Sequence, residues 1–209
     1  MRYERKFIIE GLPLHKIEEA IWGHPVGFTV DHPDRKVNNI YFDDMGFSNF
    51  QLHNVGEGER RKFRIRWYGY ETEHIADPVF EVKSKHGELS KKTLIKIGPF
   101  DTRGFQTLLQ FPKLASLGFL QPGLYNSYTR SYYKSFDGKF RLTVDRNMEY
   151  RPFNVGVGIS QSKFTEDGVM VELKYDEQYD NEWENIADHF PYRVSNSSKY
   201  ISGMMLLSA

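Results

Sequence analysis

The stretch RRKFRIRWY, residues 60–68, predicts how this chain folds. Side chains on a β-strand alternate between its two faces, so this stretch carries apolar residues on one face and cations on the other. The cations are Lys62, Arg64 and Arg66. A single strand of this kind is also typical of any antiparallel sheet with one face in water, so the interpretation depends on the rest of the chain.

The same alternation of charged and apolar residues recurs on several other predicted strands. An antiparallel sheet can close into a barrel covered by helices. If the charged faces point inward, the lumen holds Lys6, Lys62, Arg64, Arg66, Lys83, Lys85, Arg130, Arg141 and Lys174, with Glu4, Glu81, Asp145 and Glu172. Such a lumen repels itself when empty and requires an anionic guest, while its carboxylates are the hard oxygen ligands that Mg²⁺ or Mn²⁺ prefers. A polyphosphate chain or a nucleoside triphosphate with its metal satisfies both requirements.

The composition limits the class of protein. The chain has 209 residues, 28 basic and 28 acidic side chains, and no cysteine. Zero formal net charge argues against general attraction to nucleic acid, and the lack of cysteine excludes disulfides and thiolate metal ligands. The first residues are too charged for a signal peptide, and no apolar run approaches the ~20 residues of a membrane helix. We therefore expect a cytoplasmic protein without membrane insertion.

We predict an α+β fold that is mainly antiparallel β: a closed or nearly closed β-barrel tunnel with a charged lumen and flanking helices, in one domain over residues 1–209. Strands are predicted at 2–10, 37–43, 60–68, 79–85, 126–136, 139–145 and 169–175. Helices are predicted at 14–22, within 45–55, from Asp101 or Thr102 through Phe111, at 113–120, at 183–190 and within 195–209. Asp137-Gly138 and Asp167-Gly168 predict hairpin turns. Residues 23–34 are expected to be a loop or a weak strand, and 150–164 to be irregular.

An ordered set of short motifs resembles a known family. The set comprises Tyr3-Glu4-Arg5-Lys6-Phe7, Tyr41-Phe42-Asp43, Lys62-x-Arg64-x-Arg66-x-Tyr68-Gly69, Glu81-x-Lys83-x-Lys85, Tyr128-x-Arg130, Arg141-x-Thr143-x-Asp145, Glu172-x-Lys174 and Ser198-Lys199-Tyr200. It resembles the VTC domain, the catalytic domain of vacuolar transporter chaperone polyphosphate polymerases, which belongs to the triphosphate tunnel metalloenzymes, or CYTH proteins. The resemblance runs from Tyr3 to Tyr200.

The resemblance implies an enzyme that transfers the γ-phosphoryl group of ATP to a polyphosphate chain inside a basic tunnel, with Mn²⁺ or Mg²⁺ as cofactor. It implies phosphate ligands at Arg64, Arg66, Lys83, Arg130, Arg141, Lys199, Lys6 and Ser198, of which the first six are candidate catalytic residues, and a metal ligand at Glu172. The lumen pattern adds substrate-binding candidates at Lys62, Lys85 and Lys174 and metal candidates at Glu4 and Glu81. The expected partners are ATP and polyphosphate or triphosphate, without nucleic acid, and protein partners are left open.

Plainer interpretations of the same residues remain. Arg64 and Arg66 could pair with surface carboxylates, and Ser198 could be a simple helix N-cap. Glu172 could form an internal salt bridge instead of binding a metal. At the level of function, the alternatives are a triphosphate hydrolase of the same superfamily and a non-catalytic sensor that binds polyphosphate or nucleotide.

Overall fold

The architecture is that of a computed structural model, which describes residues 2–55, 59–86, 89–117, 119–195 and 197–208. For residues 53–54, 59, 85–86 and 89–90 it describes the backbone alone. The prediction of one domain over residues 1–209 stays a prediction.

Strands dominate the described chain. They are β1 (Arg2–Ile9), β2 (Thr29–Asp43), β3 (Glu59–Tyr68), β4 (His74–Ile75), β5 (Val79–His86), β6 (Leu89–Lys96), β7 (Phe100–Asp101), β8 (Gln121–Lys134), β9 (Phe140–Asn154), β10 (Gly158–Ile159), β11 (Phe164–Glu166) and β12 (Val169–Asp176). The α-helices are α1 (Leu14–Trp22), α2 (Ser48–Asn54), α3 (Trp183–Ala187) and α4 (Lys199–Ser208), and 3₁₀ turns cover Leu108–Gln110, Pro112–Leu117 and Glu177–Tyr179. No helix within these residues is long and apolar enough to cross a membrane.

The main sheet is antiparallel and strongly curled. Its strands follow the order β10-β9-β12-β1-β6-β5-β3-β2-β8, and β8 also pairs with β9, so the two ends of the sheet approach each other. The barrel is not closed, because in the described chain β1 and β6 pair at one position, Arg2 with Ser90. The mainly antiparallel fold is therefore confirmed, and the curled sheet surrounds its interior with an open seam between β1 and β6.

The apolar faces of the strands point outward and are covered by helices and loops. Phe7 and Leu142 pack with Ile17 and Ile21 of α1 and with Ile186 of α3 in one buried cluster. A second cluster joins the outer faces of β2, β3 and β5 to the segment 100–120, through residues that include Phe42, Phe63, Phe80, Phe105 and Leu114. Because these clusters hold the sheet from outside, its inner face does not have to supply an apolar core.

Helix α4 fills one end of the curled sheet. Tyr200 stacks on Tyr41 with ring centroids 5.3 Å apart, and its hydroxyl donates a hydrogen bond to Asp43 Oδ2 at 2.6 Å. Gly203 faces Leu124 and Tyr150 so closely that an added Cβ would lie 2.6 Å from an atom of each. The helix thus packs directly on side chains of the inner face and separates this end from the rest of the interior.

The predicted helix from Asp101 or Thr102 through Phe111 is wrong. Thr102 is instead tied to the segment before β4, because its N–H and hydroxyl donate to the carbonyl oxygens of Glu73 and Thr72, at 2.9 and 2.8 Å. The chain instead forms β7 and two 3₁₀ turns, the first of which begins at Thr107. The apolar residues of this segment pack on the outer face of the sheet and do not form one face of a helix.

Two other sequence predictions underestimate the strands. Strand β2 begins at Thr29, inside the stretch predicted as loop or weak strand, and irregular pairing with β8 around residues 30–35 accommodates Pro33. Strand β9 continues to Asn154, inside the stretch predicted to be irregular.

One of the two predicted hairpins is confirmed. The hairpin at Asp137-Gly138 joins β8 to β9, and Gly138 has a φ of 74°, which suits glycine. The hairpin at Asp167-Gly168 is wrong, because β11 and β12 both pair with the same edge of β9 instead of with each other.

We expect Gly203→Val to lower the free energy of unfolding by about 1–3 kcal/mol, because the new side chain overlaps Leu124 and Tyr150 in a packed interface. Gly98→Ala is the matched control, since no heavy atom lies within 4 Å of the position of its added Cβ. Denaturant unfolding of both variants measures the effect. A Gly203→Val protein as stable as the control would contradict the close packing of α4.

Candidate functional site

The interior that α4 leaves free is a polar cavity of about 530 Å³. Of the described residues, ten cations and three carboxylates line it, so the lining is strongly cationic. The full lining is Arg2, Tyr3, Glu4, Lys6, Tyr41, Lys62, Arg64, Arg66, Lys83, Lys92, Tyr128, Arg130, Glu172, Lys174, Asp176, Ser198 and Lys199. Most of the residues predicted in the lumen therefore converge on one cavity, whereas Glu81, Arg141 and Asp145 lie outside its lining.

Arg64 on β3 is fixed by a buried carboxylate on the neighbouring strand β5. Its Nε and Nη2 donate to Glu81 Oε2 at 2.7 and 2.5 Å, and its Nη1 donates to the hydroxyl of Tyr41 at 3.2 Å. Lys92 donates to the other oxygen of Glu81 at 3.0 Å. Burial favours the neutral acid, but the charges of Arg64, Arg66 and Lys92 outweigh it and hold the pKa of Glu81 well below its usual range.

Arg66 is fixed by neutral partners. Its Nε donates to Asn39 Oδ1 at 2.8 Å, and its Nη2 donates to the hydroxyl of Tyr128 at 2.9 Å. Its Nη1 lies 3.8 Å from Glu81 Oε2. Both arginines of β3 therefore keep their orientation without a ligand, which removes the entropic cost of ordering them when an anion binds.

A second charged cluster joins β8, β9, β12 and α4. Arg130 donates two hydrogen bonds to Asp145, at 2.5 and 2.6 Å, and a third to Glu172 at 3.1 Å. Lys199 lies 2.6 Å from Asp145 and 3.3 Å from Glu172, and Lys174 donates to Glu172 at 2.6 Å. Asp145 is fully buried and outside the lining, so it supports Arg130 and Lys199 from behind.

The carboxylates of this cluster are charged at neutral pH. Burial opposes ionisation of Glu172, but the charges of Lys174, Lys199 and Arg130 hold its pKa well below its usual range. Burial also opposes ionisation of Asp145, but the charges of Arg130 and Lys199 outweigh it and lower the pKa of this carboxyl. For Lys199, burial is outweighed by Asp145 and Glu172, so its pKa is raised and it carries its proton.

Glu4 on β1 joins two further lysines. Lys83 donates to Glu4 Oε2 at 2.7 Å, and Lys6 Nζ lies 3.4 Å from Glu4 Oε1. Lys6 also donates to the carbonyl oxygen of Ser197, just before α4, at 3.0 Å. These contacts connect the cavity wall at β1 to the start of the helix that closes one end.

Lys62 differs from the other lining cations, because it is the one with no carboxylate within 4 Å among the residues that the structure describes. Its Nζ donates to the hydroxyl of Ser198 at 2.7 Å. Burial and the neighbouring charges of Lys6 and Lys83 lower its pKa well below the ordinary lysine value. An anion near Lys62 would therefore favour its charged form and offset the repulsion from Lys6 and Lys83.

The predicted metal ligands fall into two groups. Glu4 lies opposite Lys174, and Lys6 lies opposite Glu172, so the two glutamates are diagonal neighbours on one face, with Cα atoms ~7–8 Å apart. The described residues include no group of three or more His, Cys, Asp or Glu that could hold a metal by itself. Two carboxylates fit Mg²⁺ or Mn²⁺ when phosphate oxygens and water complete the coordination. Glu81 lies outside the lining beneath Arg64, and its role as a metal ligand stays a prediction.

The structure brings together most of the predicted site residues. Those that line the cavity are Arg64, Arg66, Lys83, Arg130, Lys199, Lys6, Lys62, Lys174, Ser198, Glu172 and Glu4. Arg141 is exposed on β9, opposite Lys174 and outside the lining, so its catalytic role stays a prediction. The side chain of Lys85 is outside the part of the chain that the structure describes.

Sequence reasoning missed the partners that hold the site arginines, and it placed Asp145 in the lumen instead of behind the wall. Asn39 and the hydroxyls of Tyr41 and Tyr128 bind the arginines of β3, and Asp145 fixes Arg130. Tyr128 lies two residues before Arg130, so its inward direction could be read from the alternation. The contact of Asn39 with Arg66 could not be predicted from the sequence, because it depends on the register between β2 and β3.

We expect Lys62→Met to raise the free energy of unfolding of the ligand-free protein by ~1 kcal/mol or more. The pKa of Lys62 is lower in the folded protein than in the unfolded chain, so its protonation at neutral pH favours unfolding, and Met removes this cost. The advantage over wild type should shrink as the pH rises toward 10.5, the ordinary pKa of lysine. Denaturant unfolding at several pH values measures it, with Lys91→Met, on the exposed part of β6, as the control. Equal or lower stability of Lys62→Met at pH 7 would contradict the charge imbalance.

Solved structures share this architecture at low sequence identity. A protein from Pyrococcus horikoshii OT3 matches with a TM-score of 0.53 and 14% identity over 100% of both chains. A Vibrio parahaemolyticus protein named “putative adenylate cyclase” matches with a TM-score of 0.54 and 14% identity, over 100% of this chain and 98% of that one. A conserved hypothetical protein from Pyrococcus furiosus matches with a TM-score of 0.55 and 13% identity, over 97% and 99%. At these identities the similarity shows the fold alone.

Sequence comparison identifies the family. No curated protein is significantly similar in sequence to this chain. The sequence profile of the VTC domain, however, matches residues 1–208. The chain therefore belongs to the VTC-domain family, which has the tunnel-enzyme (CYTH-like) fold.

Proposed function

We propose that this protein is a metal-dependent polyphosphate polymerase that transfers the γ-phosphoryl group of ATP to the end of a polyphosphate chain. The observation that carries the proposal is the cationic cavity, whose described lining residues include ten cations and three carboxylates. Membership of the VTC-domain family supports the same substrate class. A chain of phosphates carries regularly spaced negative charges, which would compensate the excess of cations in this wall.

The cations are suited to a chain that runs along the cavity. Arg64 and Arg66 come from β3, Lys83 from β5, Arg130 from β8 and Lys199 from α4, so a bound chain contacts several elements at once. Arginine binds phosphate through a planar fork with two parallel hydrogen bonds, whereas lysine acts as a mobile point charge. Lys62, which has no carboxylate within 4 Å among the described residues, adds a further attraction for an anion beside Ser198.

The chemistry needs positioning and charge stabilisation, and no nucleophilic side chain. An oxygen of the terminal phosphate of the acceptor forms a bond to the γ-phosphorus of ATP, and the bond from that phosphorus to the β–γ bridging oxygen breaks. ADP leaves with the electron pair, and the polyphosphate is one phosphate longer. The acceptor oxygen is already ionised, so no side chain has to remove a proton. Preorganised Arg64, Arg66 and Arg130 stabilise the charge on the transferred group.

Glu172 and Glu4 are the residues that we propose to hold Mn²⁺ or Mg²⁺. A metal held there would supply Lewis-acid stabilisation of the charge that develops on the transferred phosphoryl group. Both carboxylates are kept ionised by neighbouring lysines, which leaves them ready to act as ligands. The same lysines must give up part of their contact with these carboxylates when a metal arrives, and the phosphate chain offers them replacement partners.

The direct test is incubation of the purified protein with ATP and Mn²⁺, with the products resolved on a gel. A ladder of phosphate chains is the expected result. Release of orthophosphate without a ladder would instead indicate a triphosphate hydrolase, because the same wall can position water as the acceptor. Tight binding of polyphosphate without turnover under Mn²⁺ or Mg²⁺ would indicate a non-catalytic sensor.

We expect Arg64→Ala to reduce the rate of phosphoryl transfer by roughly 10²–10³-fold, the effect of removing one preorganised donor from a developing charge. Lys92 and Arg66 still face Glu81 in this variant, so its charge remains compensated and the fold should persist. Arg61→Ala is the matched control, since Arg61 is exposed on the opposite face of the same strand. The gel assay measures the rate of chain growth. An Arg64→Ala protein as active as the control would remove β3 from the site.

We expect Glu172→Gln to raise the Mn²⁺ concentration needed for half-maximal activity roughly tenfold or more, because an amide is a weaker ligand than a carboxylate. The matched control is Glu166→Gln, which lies on β11 outside the cavity lining and hydrogen-bonds Tyr150. Titration of activity with Mn²⁺ at saturating ATP measures the shift. An unchanged Mn²⁺ requirement would show that Glu172 serves the neighbouring cations and not the metal.

A further inference from the structure

An arginine lies between two tyrosines beside the cationic cavity. The guanidinium carbon of Arg35 is 5.5 Å from the ring centroid of Tyr68 and 5.7 Å from that of Tyr132. The ring of His32 meets Tyr132 edge-on, with centroids 5.8 Å apart. Among the described residues the guanidinium of Arg35 makes no ion pair with a carboxylate within 4 Å, and its recorded contacts are those with the two rings.

This Arg35–tyrosine stack lies on the inner face of the sheet. Tyr68 is two residues beyond Arg66 on β3, and Tyr132 is two residues beyond Arg130 on β8, so each is the next inward position, ~7 Å along its strand. Arg35 is paired with Arg130 across β2 and β8. The stack therefore continues the rows that line the cavity, although none of its members is in the lining itself.

The stack lies at the end of the cavity away from α4. Tyr41, which packs on α4, lies near the C-terminal end of β2, whereas Arg35 lies in the N-terminal half of the same strand. Tyr68 is 51% exposed, so part of its ring is open to a ligand. Burial raises the pKa of Tyr132 to about 12, so its hydroxyl stays neutral beside an anionic substrate at neutral pH.

We propose that Tyr68 and Arg35 form a subsite for the base of a nucleoside triphosphate, at the point where the phosphate-binding rows reach the open end of the cavity. This proposal rests on the proposed function and assigns the nucleoside to one place. The base stacks on the face of the Tyr68 ring that Arg35 leaves free, and the phosphates run inward over Arg66 and Arg130. Tyr132 is a positioning residue that contacts the guanidinium of Arg35 and keeps it beside Tyr68.

Stacking makes this subsite suitable for nucleotides in general, but it distinguishes little between one base and another. Aromatic rings and guanidinium planes stack on any base, because every base has a π face. The two planar groups lie beside cations that bind phosphate, a combination that matches the two halves of a nucleotide. A bare phosphate chain has no group that gains from the stack, so the subsite favours a nucleotide donor over inorganic triphosphate.

The test compares two ligands that resist transfer of their terminal phosphate: the β,γ-imido analogue of ATP, and diimidotriphosphate, which has three phosphates and no nucleoside. Calorimetry with Mg²⁺ gives the Kd of each for the wild type and for Tyr68→Ala. The control is Tyr70→Ala, since Tyr70 is 87% exposed and lies outside the stack. Tyr68→Phe keeps an aromatic ring and should bind both ligands as the wild type does.

We expect Tyr68→Ala to weaken the ATP analogue about tenfold and to change the Kd of diimidotriphosphate by less than about twofold, since only the base contacts the ring. Equal weakening of both ligands, or no weakening of either, would overturn the base subsite while leaving anion binding in place. If the wild type bound neither ligand, the proposed function would fail, and the subsite would fail with it. Selective weakening that Tyr68→Phe restores supports the subsite.

Discussion

The repulsion between cations that face one enclosed space is the constraint on which the rest of the structure depends. Ten of the described lining residues are cations, and three are carboxylates. A sheet with such an inner face cannot be held by an inner apolar core along its whole length. The stabilising burial lies instead on the outer face, where α1, α3 and the segment 100–120 pack on the strands, and at one end, where α4 closes the interior. The outer layers thus allow the inner face to serve binding.

The carboxylates moderate this repulsion without cancelling it. Asp145 and Glu81 lie behind the wall and fix Arg130 and Arg64, while Glu172 and Glu4 lie in the wall between lysines. Removing such a partner would leave its cations less compensated, so each carboxylate contributes to the stability of the protein before any ligand binds. In the described structure Lys62 has no such carboxylate partner, so its charge destabilises the empty protein. A bound anion would remove that destabilisation. Under the proposed function, stability of the empty protein and affinity for phosphate are therefore opposed in this site.

The sequence allowed the inner face to be predicted because a period of two is a local property. The alternation of Lys62, Arg64 and Arg66 with apolar residues is visible in one short stretch, and the same rule placed Glu172 and Lys174 correctly. Features that depend on the register of distant strands could not be predicted in this way. Asn39 reaches Arg66 because β2 pairs with β3, and the exposure of Arg141 is not visible in the alternation of its strand. The apolar spacing of the segment 100–120 suits a helix, but Thr102 bonds the carbonyl oxygens of Glu73 and Thr72 through its N–H and its hydroxyl, and the chain forms β7 and two 3₁₀ turns instead.

Membership of the VTC-domain family and the geometry of the cavity lead to the same physical claim, that rows from separate strands act together on one phosphate chain. A crystal structure with bound triphosphate and Mn²⁺ tests that claim most directly. We predict a single phosphate chain inside the cavity, with oxygens ~3 Å from cations of β3, β5, β8 and α4 at the same time. A triphosphate bound on the outer surface, or held by the side chains of one strand alone, would contradict it.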